Sequence, residues 1–269
     1  MDIGSYLDRI GLAERPNPNL AGLAALHRAH LLAIPYENLD VQLGRPVTLA
    51  RGPIFEKLVI NRRGGWCYEM NGLLGWALGE LGFRVTRATG AVVRQVIGEA
   101  AHGNHLVLKV ETDEGLYLAD VGFGDGPIDP VAVRPGAFQA NGFSFSLSQA
   151  DGDWWRLTNH PAGGAPSFDF HLDPADEALL ERQCLRLQTA AESPFVQNAV
   201  CQRHTENGLI VLRGRVLRSI TPDRVSERLI ESAADFLETL RGQFALDVPE
   251  AASLWPAICA RHDAVFGAA

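Results

Sequence analysis

The chain has 269 residues, of which 46% are hydrophobic and 21% are charged, and its formal net charge at pH 7 is −8. This balance is typical of a globular protein with about two structural units. The negative charge argues against a broad surface for nucleic acid or for an anionic membrane. One short basic stretch, NRRGG at residues 61–65, is compatible with an anionic substrate.

The spacing of the cysteines and the lack of long apolar segments bear on the cellular compartment of the protein. No run of residues approaches the roughly 18 apolar residues of a membrane span. The start, MDIGSYLDRIGLAERP, lacks the apolar segment of a signal peptide. No C-x-x-C redox or zinc-binding pair occurs, because at least 17 positions separate any two of Cys67, Cys184, Cys201 and Cys259. We therefore expect a cytoplasmic protein with free thiols and no metal, in which the cysteines other than Cys67 are structural by default.

The first third of the chain, residues 1–83, is predicted to be mostly helical. Residues 19–34, NLAGLAALHRAHLLAI, repeat apolar positions at helical spacing until Pro35 interrupts them. Residues 67–83, CYEMNGLLGWALGELGF, repeat them again. This second pattern predicts a helix with Gly82 as its C-terminal cap.

From about residue 84 to residue 172 the apolar period changes to two. Turn residues such as TDEG and ADGD separate five predicted strands: HLVLKV, GLYLADV, NGFSFSLS, DWWRLT and SFDFHL. Consecutive strands of this kind predict an antiparallel sheet or barrel. Beyond residue 173 we expect a helix at residues 176–185, strands within residues 209–220 and a helix over residues 224–244. Helices followed by strands and a mixed unit predict the α+β class.

Cys67 stands directly after two glycines and a tryptophan, at the predicted start of the second helix. Gly64 and Gly65 allow a tight turn that a side chain would block. A thiol at a helix N-terminus faces the positive end of the helix dipole, so we expect a lowered pKa and an exposed nucleophile. Backbone N–H groups at the same place can hold a developing oxyanion. A buried core cysteine is the alternative that this stretch leaves open.

His105 is the histidine beside which a carboxylate can be placed. It begins the strand HLVLKV, and Asp120 ends the next predicted strand. A turn at Thr112–Asp113 would put the two residues directly opposite each other, and a turn at Asp113–Glu114 would make them diagonal neighbours on one face. A thiol nucleophile needs a base, and the base needs an orienting group. We therefore predict that Cys67, His105 and Asp120 are catalytic, with a structural histidine and a turn aspartate as the alternatives.

Five segments carry a resemblance to the arylamine N-acetyltransferase family, in particular to its bacterial members. RGGWCYE (63–69) resembles the active-site cysteine signature of that family, NHLVL (104–108) its histidine strand, and DVGFG (120–124) its aspartate motif. IPYENLD (34–40) resembles its N-terminal proline-aromatic-Glu-Asn-Leu element, and SPFVQNAVCQRHTENG (193–208) the entry to its third domain. These segments follow the family's order and span most of the chain.

The resemblance implies an α+β fold in three parts with a papain-like Cys-His-Asp site. A helical bundle over residues 1–83 would carry the nucleophile, and a central antiparallel β-barrel over residues 84–190 would carry the histidine and the aspartate. An α/β lid over residues 191–269 would complete the chain. Tyr36 and Phe123 would line the acceptor pocket, and the backbone near Gly124 would border the thioester of the coenzyme.

The implied reaction moves an acetyl group from acetyl-coenzyme A to an arylamine or arylhydrazine. Acetyl-coenzyme A would be a cosubstrate, and the resemblance implies no permanently bound cofactor. O-acetylation of N-hydroxyarylamines is implied as well. The chain departs from the family in two places. Tyr36 stands where phenylalanine is common, which adds a hydroxyl to the pocket, and GNH lacks the threonine that many members have near the histidine. The same three residues also leave open a thiol hydrolase, a transglutaminase-like enzyme or a binding module with no catalysis. No oligomeric state follows from the sequence.

Overall fold

Helices and strands are mixed along the computed structural model, which describes residues 1–267. The α-helices, in chain order, are α1 (Ile3–Ile10), α2 (Leu20–Ala33), α3 (Leu39–Gln42), α4 (Arg51–Phe55), α5 (Cys67–Glu80), α6 (Arg94–Ile97), α7 (Glu177–Thr189), α8 (Pro194–Gln197), α9 (Ala233–Phe244) and α10 (Trp255–Phe266). A π-helical segment covers Glu56–Ile60, and 3₁₀ segments cover Gly98–Ala101 and Pro249–Leu254. The strands are β1 (Tyr36–Glu37), β2 (Arg84–Val92), β3 (His105–Thr112), β4 (Gly115–Ala119), β5 (Val131–Ala132), β6 (Gly136–Ala140), β7 (Phe143–Gln149), β8 (Trp155–Thr158), β9 (Ser167–Pro174), β10 (Val200–Thr205), β11 (Gly208–Arg213), β12 (Val216–Ile220) and β13 (Val225–Leu229).

The two helices predicted in the first third are confirmed as α2 and α5. The side chain of Asn19 accepts a hydrogen bond from the N–H of Gly22 and so caps the start of α2. The end of α5 is followed by Gly82, whose φ of 86° lies in the left-handed region that glycine adopts without strain. Nearly the whole of α5 is buried, and it packs against β2 and β3. The helix that carries Cys67 is therefore part of the main hydrophobic core.

The five strands predicted between residues 84 and 172 are confirmed as β3, β4, β7, β8 and β9. They belong to an eight-stranded antiparallel sheet with the order β5-β4-β3-β2-β9-β8-β7-β6. Strand β2, in the middle of this sheet, was not predicted, because RVTRATGAV is built largely of small and polar residues and lacks bulky apolar alternation. In the part of the chain that the structure describes, β5 and β6 are not hydrogen-bonded to each other, so they form the two edges of the sheet.

A second sheet combines one short strand from the N-terminal region with four strands from residues 200–229, in the order β1-β10-β11-β12-β13. Strand β1 comes from the N-terminal region and pairs with β10, so that Tyr36 lies opposite Gln202. Tyr36 also forms a parallel bridge with Gly65. The segments IPYEN, RGG and the C-terminal sheet therefore meet beside the start of α5.

The helix predicted over residues 224–244 is wrong in its first part. Val225–Leu229 forms the edge strand β13, which pairs with β12. Helix α9 begins only at Ala233, because the side chain of Ser232 accepts a hydrogen bond from the N–H of Asp235 and so caps the helix there. In VSERL only Val225 and Leu229 are apolar, and a spacing of four residues also suits a helix, so the strand is identified only by its pairing with β12.

None of the helices within residues 1–267 is long and apolar enough to cross a membrane. We propose that the chain divides near residues 83 and 190, which fall after α5 and after α7. Strand β1 would then reach from the first unit into the sheet of the third. The last two residues of the predicted lid, 268 and 269, lie outside the described residues.

Candidate active site

Close packing fixes the backbone that leads into Cys67, the first residue of α5. A Cβ at Gly64 would overlap the carbonyl oxygen of Pro35, and a Cβ at Gly65 would lie 2.7 Å from Oε2 of Glu69. Glu69 needs that space because its carboxylate accepts a hydrogen bond from the N–H of Trp66, at 3.3 Å, ahead of the first helical turn. Neighbouring atoms therefore leave no room for a side chain at either glycine, as the sequence predicts for this tight turn.

Gly64→Ala should destabilise the protein by about 1–3 kcal/mol or more, since a backbone carbonyl cannot move aside as a flexible side chain can. The matched control is Gly79→Ala, near the exposed end of α5, where an added Cβ would meet no atom within 4 Å. This control should stabilise the protein by about 0.5–1 kcal/mol, because alanine loses less entropy than glycine in a helix. Urea unfolding measures both changes, and equal effects would contradict the packing argument.

His105 and Asp120 are brought together by the register of the hairpin between β3 and β4. Thr112 pairs with Gly115, so the turn falls at Asp113–Glu114, the second of the two positions predicted. His105 and Asp120 are thus diagonal neighbours on one face. Their side chains are buried, and Nε2 of His105 lies 2.7 Å from Oδ2 of Asp120.

Asp120 is held as a carboxylate. Burial works to raise its pKa, yet His105, the Asn71 amide and the N–H of Gly122 together keep that pKa below the usual value for aspartate. An ionised carboxylate can only accept hydrogen bonds, so Nε2 of His105 carries a proton and donates it to Oδ2. Nδ1 is then the basic nitrogen of the neutral ring.

Two further buried side chains position Asp120, and sequence reasoning missed the role of both. Nδ2 of Asn71 donates to Oδ1 of Asp120 at 2.7 Å, and Oδ1 of Asn71 accepts from the N–H of Val121 at 2.9 Å. Nε2 of His27 accepts from the backbone N–H of Asp120 at 3.1 Å, while Nδ1 lies 2.9 Å from the carbonyl oxygen of Ile128. The sequence signal for Asn71 was an amide four residues after Cys67, hence on the same face of a helix that is otherwise buried.

Cys67 is buried rather than exposed, with 3% of its surface accessible. The lowered pKa predicted for its thiol is therefore wrong for the free protein: burial raises the pKa of Cys67 well above its usual value, and the N–H groups of Leu106 and Tyr68 offset this only in part. A thiol in this position keeps its proton until a neighbouring base takes it. His105, which carries the basic Nδ1, lines the same cavity as Cys67, and Sγ of Cys67 lies 3.9 Å from the carbonyl oxygen of Asn104, the residue before His105.

The cavity has a volume of about 250 Å³ and contains four of the six predicted site residues, Cys67, His105, Tyr36 and Phe123, in its lining. The rings of Phe123, His105 and Phe168 pack against one another, with centroid distances of 6.0 Å from Phe123 to His105, 4.8 Å from Phe123 to Phe168 and 5.1 Å from His105 to Phe168. Asp120 lies behind His105 and does not belong to the lining.

Gly124 also lies outside the lining of the cavity. Its φ is 93°, and a Cβ there would overlap the side chain of Gln202, which does line the cavity. Among residues 1–267, no group of three or more His, Cys, Asp or Glu side chains is arranged to hold a metal ion. The lining of the cavity brings a thiol and an imidazole together with the rings of Tyr36 and Phe123.

Known proteins resemble this chain over almost its whole length. A family model described as N-acetyltransferase matches residues 19–253. The arylamine N-acetyltransferase of Mycolicibacterium smegmatis is 36% identical, with 94% of each chain covered. A solved structure of M. smegmatis arylamine N-acetyltransferase superposes with a TM-score of 0.87 at 36% identity, covering 96% of this chain and 97% of that one. The structure of Mycobacterium marinum arylamine N-acetyltransferase in complex with CoA has a TM-score of 0.86 at 33% identity and covers 98% of this chain and 99% of that one.

Proposed function

Since the chain belongs to the arylamine N-acetyltransferase family, a family of acyltransferases, we propose that it transfers the acetyl group of acetyl-coenzyme A to arylamines and arylhydrazines. O-acetylation of N-hydroxyarylamines is part of the same proposal. One observation carries it: a buried thiol and a buried imidazole line one aromatic cavity, and a carboxylate fixes the imidazole from behind. The M. marinum structure in complex with CoA supports the choice of donor.

The first half of the reaction acetylates Cys67. Nδ1 of His105 accepts the thiol proton as the sulfur attacks the thioester carbonyl, which forms a tetrahedral oxyanion. The N–H groups of Cys67 and Tyr68 precede the first backbone hydrogen bonds of α5, which the N–H groups of Glu69 and Met70 donate to the carbonyl of Trp66. We propose that the N–H groups of Cys67 and Tyr68 hold the oxyanion. Collapse of the intermediate breaks the bond to the sulfur of the coenzyme, which leaves as a thiol with the proton from His105. One thioester replaces another, so the step is close to balanced in free energy.

The second half moves the acetyl group to nitrogen. The amine attacks the acetyl-Cys67 carbonyl, His105 takes the proton of the amine, and the same proton returns to the sulfur as the product leaves. Asp120 stabilises the imidazolium that forms in both halves. Because Cys67 is buried beneath aromatic side chains, water has little access to the acetyl-enzyme between the two halves.

We also propose a cytoplasmic location. Cys67, Cys184, Cys201 and Cys259 are all free thiols, and the first three are buried. Reduced cysteines are typical of proteins from a reducing compartment.

Steady-state kinetics test the proposed function. With acetyl-coenzyme A and an aromatic amine varied together, double-reciprocal plots should give parallel lines, because the first product leaves before the second substrate reacts. Omission of the amine should stop turnover. A thiol hydrolase would consume acetyl-coenzyme A continuously without amine, and intersecting lines would contradict the covalent mechanism.

Tyr36 and Phe123 should control the choice of acceptor. Phe123→Ala and Tyr36→Phe should each change the ranking of aromatic amines, the first by roughly tenfold or more between a small and a large ring, since a lost aromatic wall alters contact with the ring. Both variants should still acetylate Cys67. The matched control is Phe138→Ala, which removes a ring that stacks on Phe145 outside the cavity. If the two cavity variants slowed acetylation and left the ranking unchanged, the pocket assignment would be wrong.

A further inference from the structure

Glu69 closes a loop of backbone around the N–H groups of Cys67 and Tyr68. The N–H of Trp66 donates to Oε2 of Glu69 at 3.3 Å, and the N–H of Glu69 donates to the carbonyl oxygen of Trp66 at 3.0 Å. Cys67 and Tyr68 are the two residues inside this loop. The directions of their N–H groups therefore depend on the two bonds that join Trp66 to Glu69.

Lys57 holds the carboxylate of Glu69 in place. Nζ of Lys57 lies 2.9 Å from Oε1 and 3.0 Å from Oε2 of Glu69, and 2.9 Å from Oδ2 of Asp40. All three side chains are mostly buried. Burial works to lower the pKa of Lys57, but the carboxylates of Glu69, Glu37 and Asp40 raise that pKa above its usual value. Lys57 is therefore a cation, and its charge-assisted hydrogen bonds fix both oxygens of Glu69.

The backbone around Lys57 has a rare form that supports a special role for this side chain. Lys57 lies in the π-helical segment Glu56–Ile60, which ends with a hydrogen bond of 2.8 Å from the N–H of Asn61 to the carbonyl oxygen of Glu56. Turns of this kind are uncommon and occur frequently at functional sites. Here the wide turn carries the ammonium group that reaches Glu69.

We propose that Glu69, held by Lys57, is a positioning residue for acetyl transfer. It fixes the N–H groups of Cys67 and Tyr68 in the direction of the oxyanion. Glu69 is absent from the lining of the cavity, so it acts through the backbone and does not touch the substrate. A small displacement of an oxyanion donor slows the reaction strongly, because the donor must already point at the developing charge. This inference rests on the proposed function, since the oxyanion belongs to acetyl transfer.

Two reactions of Cys67 separate positioning of the oxyanion donors from a general loss of structure. Acetylation by acetyl-coenzyme A passes through an oxyanion, whereas alkylation by iodoacetamide displaces iodide from carbon and forms none. Both reactions require loss of the thiol proton. Burial raises the pKa of Glu69 to about 7, although Lys57 works to lower it. Both rates are therefore measured at about pH 8.5, where Glu69 is mainly a carboxylate.

Glu69→Gln should slow single-turnover acetylation by roughly tenfold or more, because the N–H groups no longer keep one direction. The amide oxygen can replace only one of the two carboxylate oxygens, and the NH2 group then faces the ammonium of Lys57. Alkylation, followed by mass spectrometry on the peptide that contains Cys67, should stay within about twofold of the wild type.

Asp169→Asn is the matched control. Asp169 is a buried carboxylate that pairs with Nε of Arg156 at 2.7 Å, and it does not line the cavity. This variant also loses the charge of a buried ion pair, so it should be destabilised in urea. Its acetylation and alkylation rates should both stay within about twofold of the wild type.

The double variant Lys57→Met/Glu69→Gln covers the case in which Glu69→Gln does not fold. It removes both charges of the pair, and Asp40 keeps its ion pair with Arg63 at 3.1 Å. It should show the same slow acetylation beside normal alkylation. Equal slowing of the two reactions, or acetylation at the wild-type rate, would overturn the proposal.

A failure of the proposed function looks different, because the wild-type protein would then form no acetyl-enzyme with acetyl-coenzyme A. In that case p-nitrophenyl acetate, an activated ester, replaces the donor and forms the same oxyanion without the coenzyme. The ratio of acetylation to alkylation should again fall by roughly tenfold or more in Glu69→Gln. An unchanged ratio with this ester would refute the positioning role.

Discussion

Cys67→Ala should abolish acetyl transfer, with a loss of at least about 10,000-fold, because no other group in the cavity can form the acetyl intermediate. The fold should persist, since the change removes one sulfur atom from a buried position and costs about 1 kcal/mol or slightly more. Transfer from acetyl-coenzyme A to an aromatic amine measures the first effect, and urea unfolding measures the second.

Cys201→Ala is the matched control for this variant. Cys201 is as buried as Cys67, with 1% of its surface exposed, but it lies on β10 and does not line the cavity. The control should lose a similar amount of stability and keep its activity. Transfer that survived Cys67→Ala, or that was lost equally in Cys201→Ala, would remove Cys67 from the reaction.

Asp120→Asn should slow acetylation of the enzyme by about 10,000-fold, because the amide would impose the wrong tautomer on His105. The surrounding network decides how that amide lies. Oδ1 of Asp120 accepts hydrogen bonds from Nδ2 of Asn71, at 2.7 Å, and from the N–H of Gly122, at 2.8 Å. The amide oxygen must keep this position, so the NH2 group faces Nε2 of His105. The proton then moves to Nδ1, which can no longer accept the proton of the thiol.

Asp129→Asn is the control for the aspartate. Asp129 pairs with Arg28 at 2.7 Å, and both side chains are more than a third exposed. Acetylation in this control should stay within about twofold of the wild type, because a solvent-exposed ion pair contributes little to the stability of the fold. Single-turnover release of coenzyme A gives both rates. A wild-type rate in Asp120→Asn would show that the carboxylate does not set the tautomer.

Local patterns were enough to predict most of the elements around the site. The helix that starts at Cys67, the strand that starts at His105 and the strand before Asp120 each carry a clear apolar period in the sequence. For the hairpin between β3 and β4, the tetrapeptide TDEG allows a turn at Thr112–Asp113 or at Asp113–Glu114, so the sequence predicts two alternative registers. Only pairing along the whole of β3 and β4 selects the turn at Asp113–Glu114.

The burial of Cys67 could not be predicted from its own neighbourhood. Tyr36 pairs with Gln202 across the second sheet, and Phe195 also lines the cavity, so residues more than a hundred positions away help to cover the thiol. That covering reverses the expected direction of the pKa shift of Cys67, because the desolvation of a thiolate outweighs the hydrogen bonds from the N–H groups of Leu106 and Tyr68. The roles of Asn71 and His27 depend on contacts of the same long-range kind.

The central claim is that Cys67 carries the acetyl group between the two substrates. Mixing the protein with acetyl-coenzyme A alone, with no amine, tests it most directly. We predict a burst of free coenzyme A of no more than one equivalent and a mass increase of one acetyl group, located on the peptide that contains Cys67. Subsequent addition of an arylamine should discharge that group as the N-acetyl product. Release of coenzyme A only after the amine arrives, or an acetyl group on another residue, would contradict the account.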